Sequence, residues 1–307
     1  MTKVLVATEK PFASIAVKGI RQIVEKAGFE FALFEKYTDK ADFANAVTDA
    51  DALIVRSDIV DSEIIQAAKQ LKIVVRAGAG YDNLDLKAAS ARKIVAMNTP
   101  GQNSNAVAEL VFGMMIYHAR GCFNGKSGTE LLGKTMGLHA YGNVAKRVAS
   151  IARGFGMKTC AFDPFIPAEA MENDGVMPVK TLEDLYRNCQ YVSLHMPANE
   201  KTKGSVNFAL LSLMPEGATL VNTARKEVID EPGLLKMFQE RKDFKYLSDI
   251  TPDCAAEIAG QFEGRYYFTP KKMGAQTAEA NINAGIAAAK QIVNFFENGD
   301  TTFQLNK

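Results

Sequence analysis

The chain has 307 residues, 47% hydrophobic and 23% charged, with a formal net charge of +1. That composition suits an ordinary globular protein long enough for two separate cores. The balanced charge gives no sign of nucleic acid or a membrane surface as partner. No apolar run reaches membrane length, and MTKVLVATEK opens as a strand rather than as a targeting leader. Four scattered cysteines (Cys122, Cys160, Cys189, Cys254) and three histidines show no metal-ligand spacing. A reduced, cytoplasmic setting without a bound metal is the expectation.

Short apolar runs at Val4–Ala7, Phe31–Phe34, Ala52–Val55, Ile73–Val75 and Ile94–Met97 read as strands. Amphipathic stretches such as Ser14–Ala27 and Asp61–Gln70 lie between them and read as helices. Strand and helix in alternation predict a parallel sheet wound by right-handed crossovers. A long helix pattern from Asn103 to about Gly121 follows Pro100, and an exposed loop over residues 121–130 comes next. A second series of strands is predicted at Met136–Ala140, Thr159–Asp163, Tyr191–Leu194, Thr219–Val221, Tyr246–Leu247 and Tyr266–Phe268. An apolar helix over Thr277–Phe296 closes the pattern with no strand after it. The expected fold is therefore α/β, with two doubly wound parallel-sheet domains.

The second series opens on a dinucleotide-binding signature. The run Met136–Ala140 breaks at Tyr141-Gly142, restarts as a helix from Asn143, and leads to a strand ending on Asp163. Strand, small-residue turn, helix, strand and a carboxylate about 20 residues on is the pattern of a Rossmann unit. Small residues let backbone N–H groups approach a pyrophosphate at the positive end of the helix. The carboxylate accepts hydrogen bonds from a ribose diol and repels a 2′-phosphate, which favours NAD over NADP. The small positions here are Ala140, Gly142 and Ala145, so a methyl stands at the first glycine and the turn is expected to adjust around it. His139 is expected to be a hydrogen-bonded core residue. A nearby match to the phosphate-binding P-loop, GTELLGKT from Gly128 to Thr135, runs into a strand instead of a helix. It would have no helix dipole behind a phosphate and is set aside.

Segments at the predicted strand ends resemble the D-isomer-specific 2-hydroxyacid dehydrogenases, nearly end to end. Val75-Arg76-Ala77-Gly78-Ala79-Gly80-Tyr81-Asp82-Asn83-Leu84-Asp85 looks like the family's substrate-carboxylate loop. Asn98-Thr99-Pro100, Asn103 and Ala106-Val107-Ala108-Glu109-Leu110 look like its hinge and following helix. His195-Met196-Pro197 and Val221-Asn222-Thr223-Ala224-Arg225 match its cofactor-side loops. The resemblance implies a discontinuous flavodoxin-like substrate domain (1–98 and 276–307) around a Rossmann NAD-binding domain (99–275). It also implies a homodimer and NAD as cofactor.

Carried onto this sequence, the resemblance makes Arg225 the arginine that binds the substrate's carboxylate and carbonyl oxygen. Its planar, permanently charged fork suits that contact. Gly142, Asn143 and Val144 would face the pyrophosphate, and Asp163 the ribose. Ala79, Met196, Thr223, Ala224 and Asp249 would make the other cofactor contacts. Gly78, Ala79, Gly80 and Asn103 would line the substrate side, and Arg56-Ser57 resembles the pair that meets a substrate phosphate in phosphoglycerate-oxidising members.

Two departures touch the chemistry. Where the family has a Thr-Pro-His segment, this chain reads Thr269-Pro270-Lys271, so Lys271 occupies the general acid/base position, as in a subset of short members. The glutamate that normally orients the histidine is scrambled, leaving Asp253 or Glu257 as replacements. The expected activity is NAD-dependent oxidation of D-3-phosphoglycerate. The alternatives are a reductase for glyoxylate or hydroxypyruvate (or another D-2-hydroxy acid) and a non-catalytic NAD(H)-sensing interaction protein. With the chain ending at Lys307, regulation through an appended C-terminal domain is not expected.

Overall fold

The computed structural model describes residues 1–307. By internal contact the chain divides into two units, Met1–Asn103 with Gln276–Lys307, and Ser104–Ala275. The segment Thr99–Asn103 groups with the first unit.

The first unit holds five parallel strands: β1 (Lys3–Thr8), β2 (Glu30–Glu35), β3 (Ala52–Val55), β4 (Ile73–Arg76) and β5 (Val95–Asn98). Their order is β2-β1-β3-β4-β5, the flavodoxin-like winding. Alternate residues of each strand enter different cores, as the two-residue period requires. Val4, Val6, Ile54 and Val75 pack against Ala16, Ile20 and Val24 of helix Ser14–Lys26 and against Ala288 and Ile292 of helix Ala278–Asn298. Leu5, Ala7, Leu53 and Val74 face Phe43, Ile64 and Ile65 on the other side. Because both faces are covered, β3 reads as an unbroken apolar run and all four of its residues are buried. Gly285 lets the last helix lie close to the first, since an added Cβ would stand 2.9 Å from Ile20.

The second unit holds β6 (Thr135–His139), β7 (Lys158–Phe162), β8 (Met177–Pro178), β9 (Tyr191–Leu194), β10 (Thr219–Asn222), β11 (Lys245–Ser248) and β12 (Tyr266–Phe268). All pairings are parallel, in the order β12-β11-β10-β9-β6-β7-β8. The winding reverses between β6 and β9, which is the Rossmann switch point where nucleotides bind. Strands expected from the sequence occur within one residue of their predicted bounds. Only β8 was not anticipated, because two residues, one a proline, carry no periodicity; as an edge strand it tolerates that proline. The long helix spans Ser104–Ala119, and a short 3-10 turn, Gly121–Phe123, opens the exposed loop after it.

Candidate active site

The nucleotide turn lies at the carboxyl end of β6. Ala140 takes a left-handed backbone, with φ at +74°, so the turn does not adjust around its methyl as expected. The alanine instead adopts the conformation that glycine would supply. It is held there because its N–H donates to the Phe162 carbonyl at 2.9 Å while the Tyr141 N–H donates to Asp163 Oδ2 at 2.7 Å. Asp163 Oδ1 accepts from the Phe165 N–H at 2.8 Å, so the carboxylate ties both β-strand exits together. Each oxygen keeps a lone pair for a further donor.

Helix Asn143–Gly154 begins at Gly142, and no side chain caps it. A Cβ added to Gly142 would meet nothing within 4 Å, so the space beside the helix start is open. Uncapped N–H groups at a positive helix end suit an anionic diphosphate. Thr223 adds to the fit, because its Oγ1 is buried with no hydrogen-bond partner. Met196 is buried nearby in sequence from His195, whose Nε2 is likewise unpartnered.

The turn after β10 is organised by a residue that the sequence reading quoted but gave no role. Asn222 is fully buried; its Oδ1 accepts from the Ala224 N–H at 2.9 Å, and its Nδ2 donates to the Arg225 carbonyl at 3.0 Å. An amide that both accepts from and donates to a turn two and three residues on locks Thr223–Arg225 in one shape. The Arg225 guanidinium is partly exposed, and Nη1 also donates to the Ala224 carbonyl at 2.9 Å.

Lys271 is exposed on the loop that leaves β12. Of the two carboxylates expected to orient it, one is bonded to another lysine and the other stands exposed on a helix. Asp253 Oδ1 holds Lys226 Nζ at 2.6 Å, and Glu257 is exposed in the first turn of helix Ala255–Gln261. The reason is local: Glu231 accepts from the N–H groups of Asp253 and Cys254, at 2.8 and 2.7 Å, and fixes that loop beside Lys226. The carboxylate that does reach the Lys271 loop is Asp249, which is 1% exposed. Its Oδ1 accepts from the Met273 N–H and the Thr269 hydroxyl, at 2.8 and 2.9 Å, and its Oδ2 from the Gly274 N–H at 2.8 Å.

In the first unit, Arg56, Gly78, Ala79 and Gly80 follow β3 and β4, with Ser57 exposed beside Arg56. The Arg56 Nη1 donates to the Lys10 and Pro11 carbonyls at 2.9 and 2.8 Å, and its Nη2 to Asn281 Oδ1 at 2.6 Å. Its fork is thus aimed by the protein, leaving Nε–H without a protein acceptor. Asp58, buried, accepts from the backbone N–H groups of Glu9 and Arg56 and from the Tyr37 hydroxyl, joining the exits of three strands. Arg76 Nη1 donates to the Gly80 carbonyl at 2.8 Å, and Asn98 Nδ2 to the Ala79 carbonyl at 2.6 Å. The Arg76 guanidinium lies where a side chain at Gly78 would stand, since a Cβ there would be 2.5 Å from Nη1 and would displace it. Asn103 ends this unit.

His139 is the core histidine that was expected, with Nδ1 at 3.1 Å from the Tyr186 hydroxyl. Burial pushes its pKa down to about 4, and that of His195 down to about 3.

Residues 111–257 match the profile of the D-isomer specific 2-hydroxyacid dehydrogenase NAD binding domain. The chain is 34% identical, over 86% of its length and 90% of the relative's, to a hydroxypyruvate reductase of Thermotoga maritima. It is 33% identical to a D-3-phosphoglycerate dehydrogenase of Methanocaldococcus jannaschii over 82% of its own length but 51% of that protein's. A crystal structure of NAD+-bound 3-phosphoglycerate dehydrogenase from Entamoeba histolytica superimposes with a TM-score of 0.88. It is 51% identical and covers 100% of this chain and 99% of that one. The chain thus spans about half the length of the curated phosphoglycerate dehydrogenases it matches, and nearly all of the solved one.

Proposed function

The chain belongs to the D-isomer-specific 2-hydroxyacid dehydrogenase family, and on that premise we propose that it oxidises D-3-phosphoglycerate to 3-phosphohydroxypyruvate with NAD+. The likeness to an NAD+-bound 3-phosphoglycerate dehydrogenase, at 51% identity over the full chain, is the observation that carries the substrate. Gly142, Asn143 and Val144 would hold the diphosphate, Asp163 the ribose, and Ala79, Met196, Thr223, Ala224 and Asp249 the remainder of the cofactor. When bound, the nicotinamide supplies the hydride acceptor for C2.

The chain's own residues supply orientation and charge. Arg225 would grip the substrate carboxylate and the C2 oxygen, and the glycine-flanked loop Gly78–Gly80 with Asn103 would meet the carboxylate from backbone N–H and amide groups. Arg56 and Ser57 would take the phosphate. Lys271 would accept the C2 hydroxyl proton during oxidation and return it during reduction. Oxidation uses the neutral amine as acceptor and reduction the ammonium as donor.

The hydroxypyruvate reductase relative favours a second reading, reduction of an unphosphorylated 2-keto acid. NADH formation from 3-phosphoglycerate, set beside NADH consumption with hydroxypyruvate and glyoxylate, separates the two readings. No turnover with any of them would leave the NAD(H)-sensing interaction protein. Lys271→Met keeps the side-chain length and removes proton chemistry, and should lower kcat by about 10²–10⁴-fold. A near-normal kcat would refute the role given to Lys271. No helix is long and apolar enough to cross a membrane. A cytoplasmic homodimer working on small molecules alone is part of the proposal, checked by fractionation and sedimentation.

A further inference from the structure

Lys271 is an exposed lysine on a loop, with four rotatable side-chain bonds between its backbone and its ammonium. General-base work demands a donor–acceptor distance of roughly 2.6–3.2 Å, and a displacement near 1 Å at a reacting group costs about 10²-fold in rate. An exposed side chain of that length is placed chiefly by fixing the backbone that carries it.

The structure fixes that backbone with two buried groups. β11 and β12 pair with Ser248 opposite Phe268, so Asp249 and Thr269 emerge side by side at their carboxyl ends. Both are 1% exposed. The Thr269 N–H donates to the Ser248 carbonyl at 3.0 Å, which sets where the loop starts. Asp249 then gathers the far end of the loop through the N–H groups of Met273 and Gly274. A Cβ at Gly274 would stand 3.0 Å from Asp249 Oδ2, so the glycine lets the backbone press onto the carboxylate. The Thr269 hydroxyl lies 2.9 Å from Asp249 Oδ1, 3.0 Å from the Asp249 carbonyl and 3.0 Å from the carbonyl of Lys271 itself. Its single proton is shared between the latch and the residue the latch must hold.

Resting on the role proposed above for Lys271, we infer that Thr269, acting with Asp249, is the positioning residue of the proton-transfer group. The Asp249 carboxylate closes the segment Thr269–Gly274 into a ring with Lys271 near its apex. This does for a lysine what a hydrogen-bonded carboxylate does for an imidazole. An imidazole can be oriented through its second nitrogen, whereas an ammonium has no second handle and must be oriented through its main chain.

The test uses the full chain and four variants: Thr269→Val, Thr269→Ser, Lys271→Met and the double variant Thr269→Val/Lys271→Met. Valine keeps the shape of threonine and removes the hydroxyl, while serine keeps the hydroxyl. Thr269→Val should lower kcat for 3-phosphoglycerate oxidation by roughly 10–100-fold. Thr269→Ser should stay within about threefold of the parent, and the double variant should be no slower than Lys271→Met alone, because residues acting as one unit are not additive. A merely structural threonine predicts the opposite, the same loss from Thr269→Val with or without Lys271, in step with a fall in Tm. That result, or a near-normal kcat for Thr269→Val, overturns the inference. A crippled Lys271→Met beside a normal Thr269→Val refutes this inference while leaving the proposed function standing; a normal Lys271→Met refutes both. Should Thr269→Val fail to fold, Gly274→Ala, which pushes on the Asp249 carboxylate and removes no buried hydroxyl, takes its place with the same expectations.

Discussion

Lowering the pH from 7 to 5 should destabilise the second unit through histidines that cannot charge while folded. The chain has three histidines, and burial lowers the pKa of each: His139 to about 4, His195 to about 3, and His118 by burial and then the Lys245 charge. In the unfolded chain a histidine titrates near about 6.5. Between that value and the folded pKa the unfolded state binds more protons, so stability is fully present above about pH 6.5 and falls as the pH drops. At pH 5 the gap is about 1.5 units, worth about 2 kcal/mol for His139 and a similar amount for His195 at about 1.36 kcal/mol per unit. Their sum, about 4 kcal/mol, is a large part of the 5–15 kcal/mol or so that holds a typical domain together. Carboxylates act elsewhere: Asp51, Asp61 and Asp243 are lowered, so their contribution is present above roughly pH 4 and lost below it. Urea midpoints at pH 7 and pH 5 measure the effect, and His139→Gln, which retains a polar group for the Tyr186 hydroxyl, should remove close to half of it. Equal midpoints at the two pH values, or an undiminished pH effect in the variant, would refute the reasoning. Because the His139 carbonyl accepts from the His195 N–H at 3.0 Å and Ala140 comes next, the nucleotide turn stands on this pair.

Other outcomes follow from single side chains. The parent enzyme should prefer NAD+ to NADP+ by about 10-fold or more, roughly 1.4 kcal/mol, since Asp163 is followed by Pro164-Phe165-Ile166-Pro167 with no cation for a 2′-phosphate; equal kcat/KM for both would falsify this. Arg56→Ala should raise KM for 3-phosphoglycerate by about 10–100-fold, from charge-assisted bonds worth roughly 1.5–3 kcal/mol, and raise it far less for an unphosphorylated 2-hydroxy acid. Since Arg56 also holds the Lys10 and Pro11 carbonyls and Asn281, Arg56→Lys serves as the control that keeps the charge without the fork. Losses of equal size for both substrates would move the phosphate site elsewhere. Asn222→Ala should loosen the Thr223–Arg225 turn and cost activity without touching substrate, and an unaltered kcat/KM would sink that role.

The sheets were legible because their strands are buried on both faces and leave dense apolar runs, as Ala52-Leu53-Ile54-Val55 shows. Candidate ligand residues stood out in the sequence where one residue type suits one job, as with Arg225 or Asp163. The polar residues that shape the loops were harder to see. Asn222 reads as one letter inside a motif, yet its amide closes the turn at both ends. Asp249 was expected to face the cofactor, and its carboxylate also accepts three short bonds, from Thr269, Met273 and Gly274. Spacing along a chain cannot report the Asp249 bonds, because their partners lie twenty to twenty-five residues away and meet only after β11 and β12 have paired. Asp253, expected beside Lys271, is likewise bonded to Lys226 from another loop, a pairing that no spacing in the chain marks.

Ala140 shows the converse case, in which the sequence pattern looked weaker than the structure is. The glycine fingerprint describes backbone conformations, and alanine can adopt a left-handed one at a cost of about 1–2 kcal/mol. Here φ is +74°, and the bonds from Ala140 N–H to Phe162 and from Tyr141 N–H to Asp163 hold the strained residue in place. Ala140→Gly removes that strain but gives the unfolded chain extra freedom worth about 0.4–1 kcal/mol. The balance should stabilise the second unit by about 0.5–1 kcal/mol, read as a rise in the urea midpoint at unchanged slope. Ala140→Val, β-branched at a positive φ, should destabilise it clearly. NAD+ affinity should not weaken in Ala140→Gly, since the backbone path to Gly142 is the same. A glycine variant less stable than the parent would mean that alanine is not strained there, and that the turn owes its shape to Asp163 alone.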